Sequence, residues 1–271
     1  MTIHPTATIH PTAVIEDGAR IGPGCRVGAY CVIGADVELG EEVHLHSHVV
    51  LAGVTRIGAQ TQVFPFAALG TVPQDLKYRG ERTELVIGAR NRIREYVTLS
   101  PGTTGGGGVT RIGDDNLFMA HAHVGHDCMV GNGIVMANCA SLAGHVVVED
   151  GAILGGLAGV HQFVRIGKGA MIGGLSAVSS DVVPYGMVAG ERAKLIGLNL
   201  VGLKRRGRAK PEINELRAAF DAMFESGDTL AERARAAREQ HPDNPLVAEM
   251  AEFILAESNR SFTLPPDRRR V

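Results

Sequence analysis

The chain has 271 residues, 45% of them hydrophobic, with 35 Gly, only 4% aromatic residues and no Trp. That supplies a sizeable core but excludes an aromatic-packed globule, and it points to small repeated units. A formal net charge of -2 argues against general nucleic-acid binding.

Met1-Thr-Ile-His-Pro lacks the charged start and apolar run of a signal peptide, and no later stretch reaches the roughly 18 apolar residues of a membrane span. A cytoplasmic protein without a span is expected. From Ile3 the chain repeats in steps of six: Ile3, Ile9, Ile15, Ile21, Val27, Ile33, Leu39, Leu45, Leu51, Ile57, Val63 and Leu69, without a miss. The register resumes at Ile87, Ile93 and Leu99, and again from Ile112 through Phe118, Val124, Val130 and onward to Val178. Four residues after each of these positions the side chain is usually small or β-branched, as at Ala19, Cys25, Cys31, Val37 and Cys128, so both columns face inward. The residue just after the aliphatic one is often Gly, as at Gly22, Gly28, Gly58 and Gly113, which suits a corner with positive φ or a close backbone approach. Cys25, Cys31, Cys128 and Cys139 match no zinc or redox spacing and read as reduced and buried.

A six-residue unit is a short strand plus a corner and cannot bury its aliphatic residue alone, so the units must coil and stack. In this the sequence resembles the hexapeptide-repeat acyltransferases. That resemblance implies a left-handed parallel β-helix with three hexads per triangular coil, and the counted hexads then make nine coils.

Two surface excursions interrupt the coil, near 71–84 and 100–111. The first contains Gln74-Asp-Leu-Lys77-Tyr-Arg79. The second carries Gly105 to Gly108, reads as a mobile loop, and lacks the Lys-Ser/Thr ending of a phosphate-cradling P-loop. After Val178 the six-residue rule fails at Pro184. A basic run, Lys204-Arg205-Arg206-Gly-Arg208, precedes an amphipathic helix that opens at Pro211, with Ile213, Leu216, Phe220, Met223 and Phe224 on one side. Thr229 to Gln240 and Pro245 to Glu257 read as further helices, and Pro265 to Val271 as a frayed tail. Residues 1–190 are thus assigned to the β-helix and 191–271 to a C-terminal helical domain.

His121-Ala-His-Val-Gly-His126-Asp127 concentrates imidazoles and a carboxylate in an otherwise apolar stretch, which suits proton transfer or metal binding. Stepping by one coil of 18 residues puts His126, His145 and His161 along one edge, about 4.8 Å apart per coil, with His123 near its lower end. Adjacent strand residues point oppositely, so Asp127 reaches His126 only if the pair lies at a corner. His44, His46 and His48 read as surface residues. His121 and His126 have the His-x4-His spacing of the γ-class carbonic anhydrases, but the further His those enzymes need is missing between His48 and His121. Catalytic zinc takes three protein ligands, so no metal is expected.

Asn116-Leu-Phe-Met-Ala-His-Ala-His-Val-Gly-His-Asp127, Ala143-Gly-His145, Val160-His-Gln-Phe163, Gln74-Asp-Leu-Lys-Tyr78, Asn91-Arg-Ile-Arg-Glu95 and Gly202-Leu-Lys-Arg-Arg-Gly207 together resemble the UDP-N-acetylglucosamine O-acyltransferases of lipid A biosynthesis. The resemblance implies that His126 is the general base on the sugar 3-hydroxyl, that Asp127 orients it, and that the Gly144 N–H holds the oxyanion. It further implies that Gln74, Asp75, Lys77, His123, His145 and His161 contact the UDP-sugar or acyl chain, and that Gln162, Asn199 and Arg205 contact the nucleotide. Gly174, in a column with Asn138 and Gly156, matches the position that sets acyl length. The implied partners are UDP-N-acetylglucosamine, acyl carrier protein carrying a 3-hydroxyacyl chain, and two further copies in a homotrimer. No cofactor is implied. Two alternatives stay open: the related N-acyltransferase, which carries an extra N-terminal domain, and a non-catalytic scaffold that binds acyl carrier protein.

Overall fold

The computed structural model describes residues 2–225 and 227–266. Paired two-residue strands build three parallel faces, with one strand from each coil in every face. Face one carries Ile21 and Val130, face two Val27 and Met136, and face three Ile33 and Val124. The registers are those of the hexad count: Val124 stands between Leu99 and Leu142, and Leu142 is followed by Val160. Faces one and three have nine strands each, and face two continues to eleven. The result is a left-handed parallel β-helix with helices at its C-terminal end.

Beyond the first coil, whose Ile3, Ile9 and Ile15 are only partly buried, both inward columns are buried, the aliphatic one and the small one with Ala19, Cys25, Cys31 and Cys128. A triangular coil has room for one large and one small side chain per side, which is why the two alternate. Cys139 departs from expectation: it is exposed at a corner. Positive φ falls three residues after the aliphatic position, at Tyr30, His48, Phe66, Asp127 and His145 among others, and not at glycines one residue after it such as Gly22, Gly28, Gly58 and Gly113. Those glycines serve close approach instead. A β-carbon on Gly22 would lie 2.6 Å from the Gly40 carbonyl oxygen, and one on Gly58 2.5 Å from the Gly88 carbonyl carbon.

The coil does not stop at Pro184. Val182 pairs with Ile166, Met187 with Met171, and Arg192 with Ala177, which completes a further turn with a shortened first side. Lys194–Leu198 then adds an antiparallel strand to face two, so sheet structure runs past residue 190. In the first excursion the chain rejoins face one at Glu84–Ile87. The second leaves after Leu99, makes a 3-10 turn at Thr104–Gly106 and resumes at Val109–Ile112, two residues before Arg111.

Four helices follow among the described residues: α1 (Leu200–Arg205), α2 (Lys210–Met223), α3 (Leu230–Gln240) and α4 (Pro245–Leu255). Of the basic run only Lys204 and Arg205 are helical; Arg206 is the C-cap, and Gly207 and Arg208 lie beyond it. Asn199, Thr229 and Asn244 cap α1, α3 and α4 with their side-chain oxygens. The expected frayed tail falls mostly outside the described residues, but Phe262 before it bridges back to Asp181 on the β-helix.

Candidate active site

His126 and Asp127 lie at the corner between faces three and one. Asp127 takes φ 59° there, the left-handed conformation that turns its side chain back alongside His126. Its carboxylate is wholly buried and accepts three hydrogen bonds: Thr103 N–H at 2.8 Å, Thr103 Oγ1 at 2.6 Å and His126 Nδ1 at 2.8 Å. The Asp127 N–H donates to Thr110 Oγ1 at 2.8 Å. The Asp127 carboxylate accepts at Nδ1, so the His126 ring carries its proton there and keeps a lone pair on Nε2, the arrangement of a general base. Adjacency along a straight strand would have separated these groups; the corner joins them.

The second excursion is the clamp on this pair. Gly106 lies against Asp127, where a β-carbon would overlap the carboxylate. Glycine is needed for that approach, and the ordered turn through Thr103 replaces the mobile loop expected from the glycine run. Gly144, one coil further on, faces the His126 imidazole; a β-carbon there would stand 2.6 Å from Nε2. Among the described residues the Gly144 N–H donates to nothing. A base nitrogen and a free backbone donor therefore face the same space.

His145 follows Asp127 in the corner column, with φ 62°. Its ring meets His126 edge-on with centroids 5.0 Å apart, and its Nδ1 is 3.9 Å from Asp127 Oδ2. Burial foremost lowers its pKa, with His126 and Lys77 pushing the same way while Asp127 and Asp75 oppose them, so the ring is neutral at pH 7. The charges of Asp75 and Lys77 thus come from the first excursion. Asp75 Oδ1 accepts the Lys77 N–H at 3.0 Å. His123 projects from face three, its Nδ1 2.7 Å from Thr98 Oγ1, and burial followed by the nearby His126 lowers its pKa as well.

The three-histidine ladder is broken. Phe163, not His161, stacks on His145, with centroids 4.4 Å apart and planes 7° from parallel. His161 lies two columns away and meets Arg260. His126, Asp127 and His145 place donor atoms within 4.8 Å of one another, yet the Asp127 oxygens are already committed to three donors. His121, the other half of the His-x4-His spacing, stacks on Tyr96 at a different corner.

A family model described as "Udp N-acetylglucosamine O-acyltransferase; Domain 2" matches residues 181–263, and one for the bacterial transferase hexapeptide matches 1–35 and 18–53. The acyl-[acyl-carrier-protein]–UDP-N-acetylglucosamine O-acyltransferase of Paracoccus denitrificans is 59% identical over 204 residues, 75% of this chain and 77% of the relative. That of Caulobacter vibrioides is 58% identical over 81% of this chain and 83% of its own. The chain belongs to the UDP-N-acetylglucosamine O-acyltransferase family. A family crystal structure superposes with TM-score 0.92 at 46% identity, covering 96% of this chain and all of the other; that of the Campylobacter jejuni enzyme gives 0.90 at 41% over 96%.

The remaining residues singled out by family resemblance spread over all three corners. Gln162 shares the His126 corner. Asn199 is at the corner between faces one and two: its Nδ2 donates to the Gly169 carbonyl at 3.0 Å while its Oδ1 caps α1. Arg205 ends α1 beside Arg206, which donates to the Gly151 carbonyl at that same corner. Gly174 is at the third corner, next to the exposed Leu157 and Leu175. Sequence reasoning missed Thr98, Thr103, Thr110, Phe163 and Arg260. Thr110 alone left a signal, as a hydroxyl in the small inward column.

Proposed function

We propose that this family member transfers an (R)-3-hydroxyacyl group from acyl carrier protein to the 3-hydroxyl of UDP-N-acetylglucosamine, the first step of lipid A biosynthesis. The observation that carries the mechanism is the His126–Asp127 pair facing the free Gly144 N–H. His126 Nε2 takes the proton of the sugar hydroxyl as its oxygen attacks the thioester carbonyl. The Gly144 N–H stabilises the oxyanion of the tetrahedral intermediate, and collapse expels the carrier thiolate, which recovers the proton from the His126 imidazolium. Asp127 holds the ring and offsets its transient charge, a general-base contribution of roughly 10²–10⁴ in rate. Lys77, Gln74, Asp75, His123 and His145 line the sugar and acyl side.

The active site is shared between copies in a homotrimer. Within one chain, the base sits on one corner while Asn199 and Arg205 sit on a second and Gly174 on a third, so a substrate that touches all of them lies between chains. An apolar strip supports assembly: Val14 and Val32 are exposed on face three, and Tyr30, His48, Phe66, Tyr96 and His121 stack at its edge with centroids 4.8 to 5.0 Å apart. His46 is stacked as well, between His44 and Phe64. No helix among the described residues is long and apolar enough to cross a membrane, and a reaction between acyl carrier protein and a nucleotide sugar fits a cytoplasmic enzyme.

The test is purified protein with 3-hydroxyacyl-acyl carrier protein and UDP-N-acetylglucosamine, wild type beside His126→Ala, with the acylated position read by NMR. A 3-O-acyl product that disappears in the variant is expected. Undiminished turnover in His126→Ala would sink the base assignment, and no transfer to an O- or N-acceptor would favour the scaffold.

A further inference from the structure

We propose that Arg260, in the segment after α4, is a positioning residue of the acyl-transfer site that fixes the His161 proton on Nε2. The segment is tied to the β-helix through Asp181, which is fully buried. Asp181 Oδ2 accepts from Arg165 Nε and Ser258 Oγ at 2.7 Å each, the Asp181 N–H donates to the Ser261 carbonyl, and the Thr263 N–H donates to the Asp181 carbonyl at 2.8 Å. Between these ties Ser258 Oγ accepts the Arg260 N–H at 3.1 Å, and the Arg260 side chain turns to the His126 corner. There its Nη2 is 2.9 Å from His161 Nδ1 and its Nε donates to the Gln162 carbonyl at 3.0 Å.

A guanidinium has donors only, so His161 Nδ1 must accept and the neutral ring carries its proton on Nε2. The same Nδ1 also lies 3.4 Å from the Gln162 carbonyl, which it could reach as a donor, in the opposite tautomer, were the Arg260 donors removed. Arg260 thus decides whether His161 offers substrate a donor or a lone pair. It also occupies the Gln162 carbonyl, which would otherwise draw the His161 proton to Nδ1. The inference rests on the acyltransferase reading, since that reading gives His161 a substrate to contact.

The test compares wild type, Arg260→Met, which keeps the apolar stem and removes the donors, and Arg260→Lys, which restores one. Ring nitrogens are read by NMR on the full-length, ¹⁵N-histidine-labelled protein, with His161 assigned through His161→Gln. Wild type and Arg260→Lys should show a bare Nδ1 and a protonated Nε2; Arg260→Met should shift protonation toward Nδ1. The KM for UDP-N-acetylglucosamine should rise about tenfold in Arg260→Met, the worth of one charge-assisted hydrogen bond, with kcat little changed. Unchanged ring nitrogens in Arg260→Met overturn the proposal, even if activity falls, because Arg260 would then be merely structural. A wild type that transfers nothing to UDP-N-acetylglucosamine would refute the acyltransferase reading, while the nitrogen measurement would still decide the tautomer.

Discussion

Gly106 lies so close to Asp127 that a β-carbon on it would overlap the carboxylate, although the two belong to different turns of the chain. The contact lets the second excursion bring Thr103 N–H and Oγ1 onto the same carboxylate that holds His126. Gly106→Ala should push the turn away and loosen both donors. We expect kcat to fall roughly ten- to a hundredfold, the worth of one or two hydrogen bonds to a charged group, while Tm changes little because the hexad core is untouched. Equal kinetics for wild type and Gly106→Ala would show that the clamp does not matter.

Asp127→Asn tests the orientation of the base itself. An amide oriented to keep accepting from Thr103 presents its NH2 or its oxygen to His126, and neither compensates an imidazolium. A drop in kcat of roughly 10²–10⁴ is expected, with the KM for the sugar nucleotide nearly constant. A change confined to KM would make Asp127 a binding residue.

The buried imidazoles predict a pH dependence of stability. Burial, then His126, lowers the pKa of His123 below the ordinary 6.5, and burial lowers those of His145 and His44 in the same direction. Near pH 6.5 the unfolded chain takes up protons that the folded rings still refuse, so it binds more protons and gains on the folded state. The contribution is therefore full above pH 6.5 and is lost as pH falls from there through the depressed folded values. Thermal unfolding at pH 7 and pH 5 should show a Tm drop that is smaller in His123→Gln than in wild type; identical drops would remove His123 from the account.

A site divided among corners of different chains predicts complementation. His126→Ala and Arg205→Glu should each be nearly inactive alone. Unfolded together and refolded as mixed assemblies, they should recover activity that neither shows separately, because some interfaces then join an intact His126 to an intact Arg205. A mixture no more active than its components would mean that one chain supplies the whole site.

Much of the fold was legible in the residues. Whether a side chain in a hexad points inward is a local matter of strand alternation, so the aliphatic and small columns and the stacking of the hexads followed from counting, while the three-sided coil and the motif roles were implied by family resemblance. Counting also put His126 and His145 on one edge, and it failed where spacing changes: Pro184 broke the rule, while the chain made another turn with Val182 instead. The histidine ladder failed for a related reason. Each corner holds several columns, and a shift of two residues moved His161 off His145 and left Phe163 there.

What the sequence by itself determined is the stacked hexad core, because it depends on periodicity and on residue types within one unit; the triangular section and the role of His126 as base were implied by family resemblance. Only the tertiary structure decided what surrounds that base. Thr103 reaches Asp127 across 24 residues through an excursion of no fixed period, and Arg260 reaches His161 across 99 residues by way of the helices. A hydrogen bond depends on where two atoms finally lie, and no count along the chain fixes that once a loop or a helical segment intervenes.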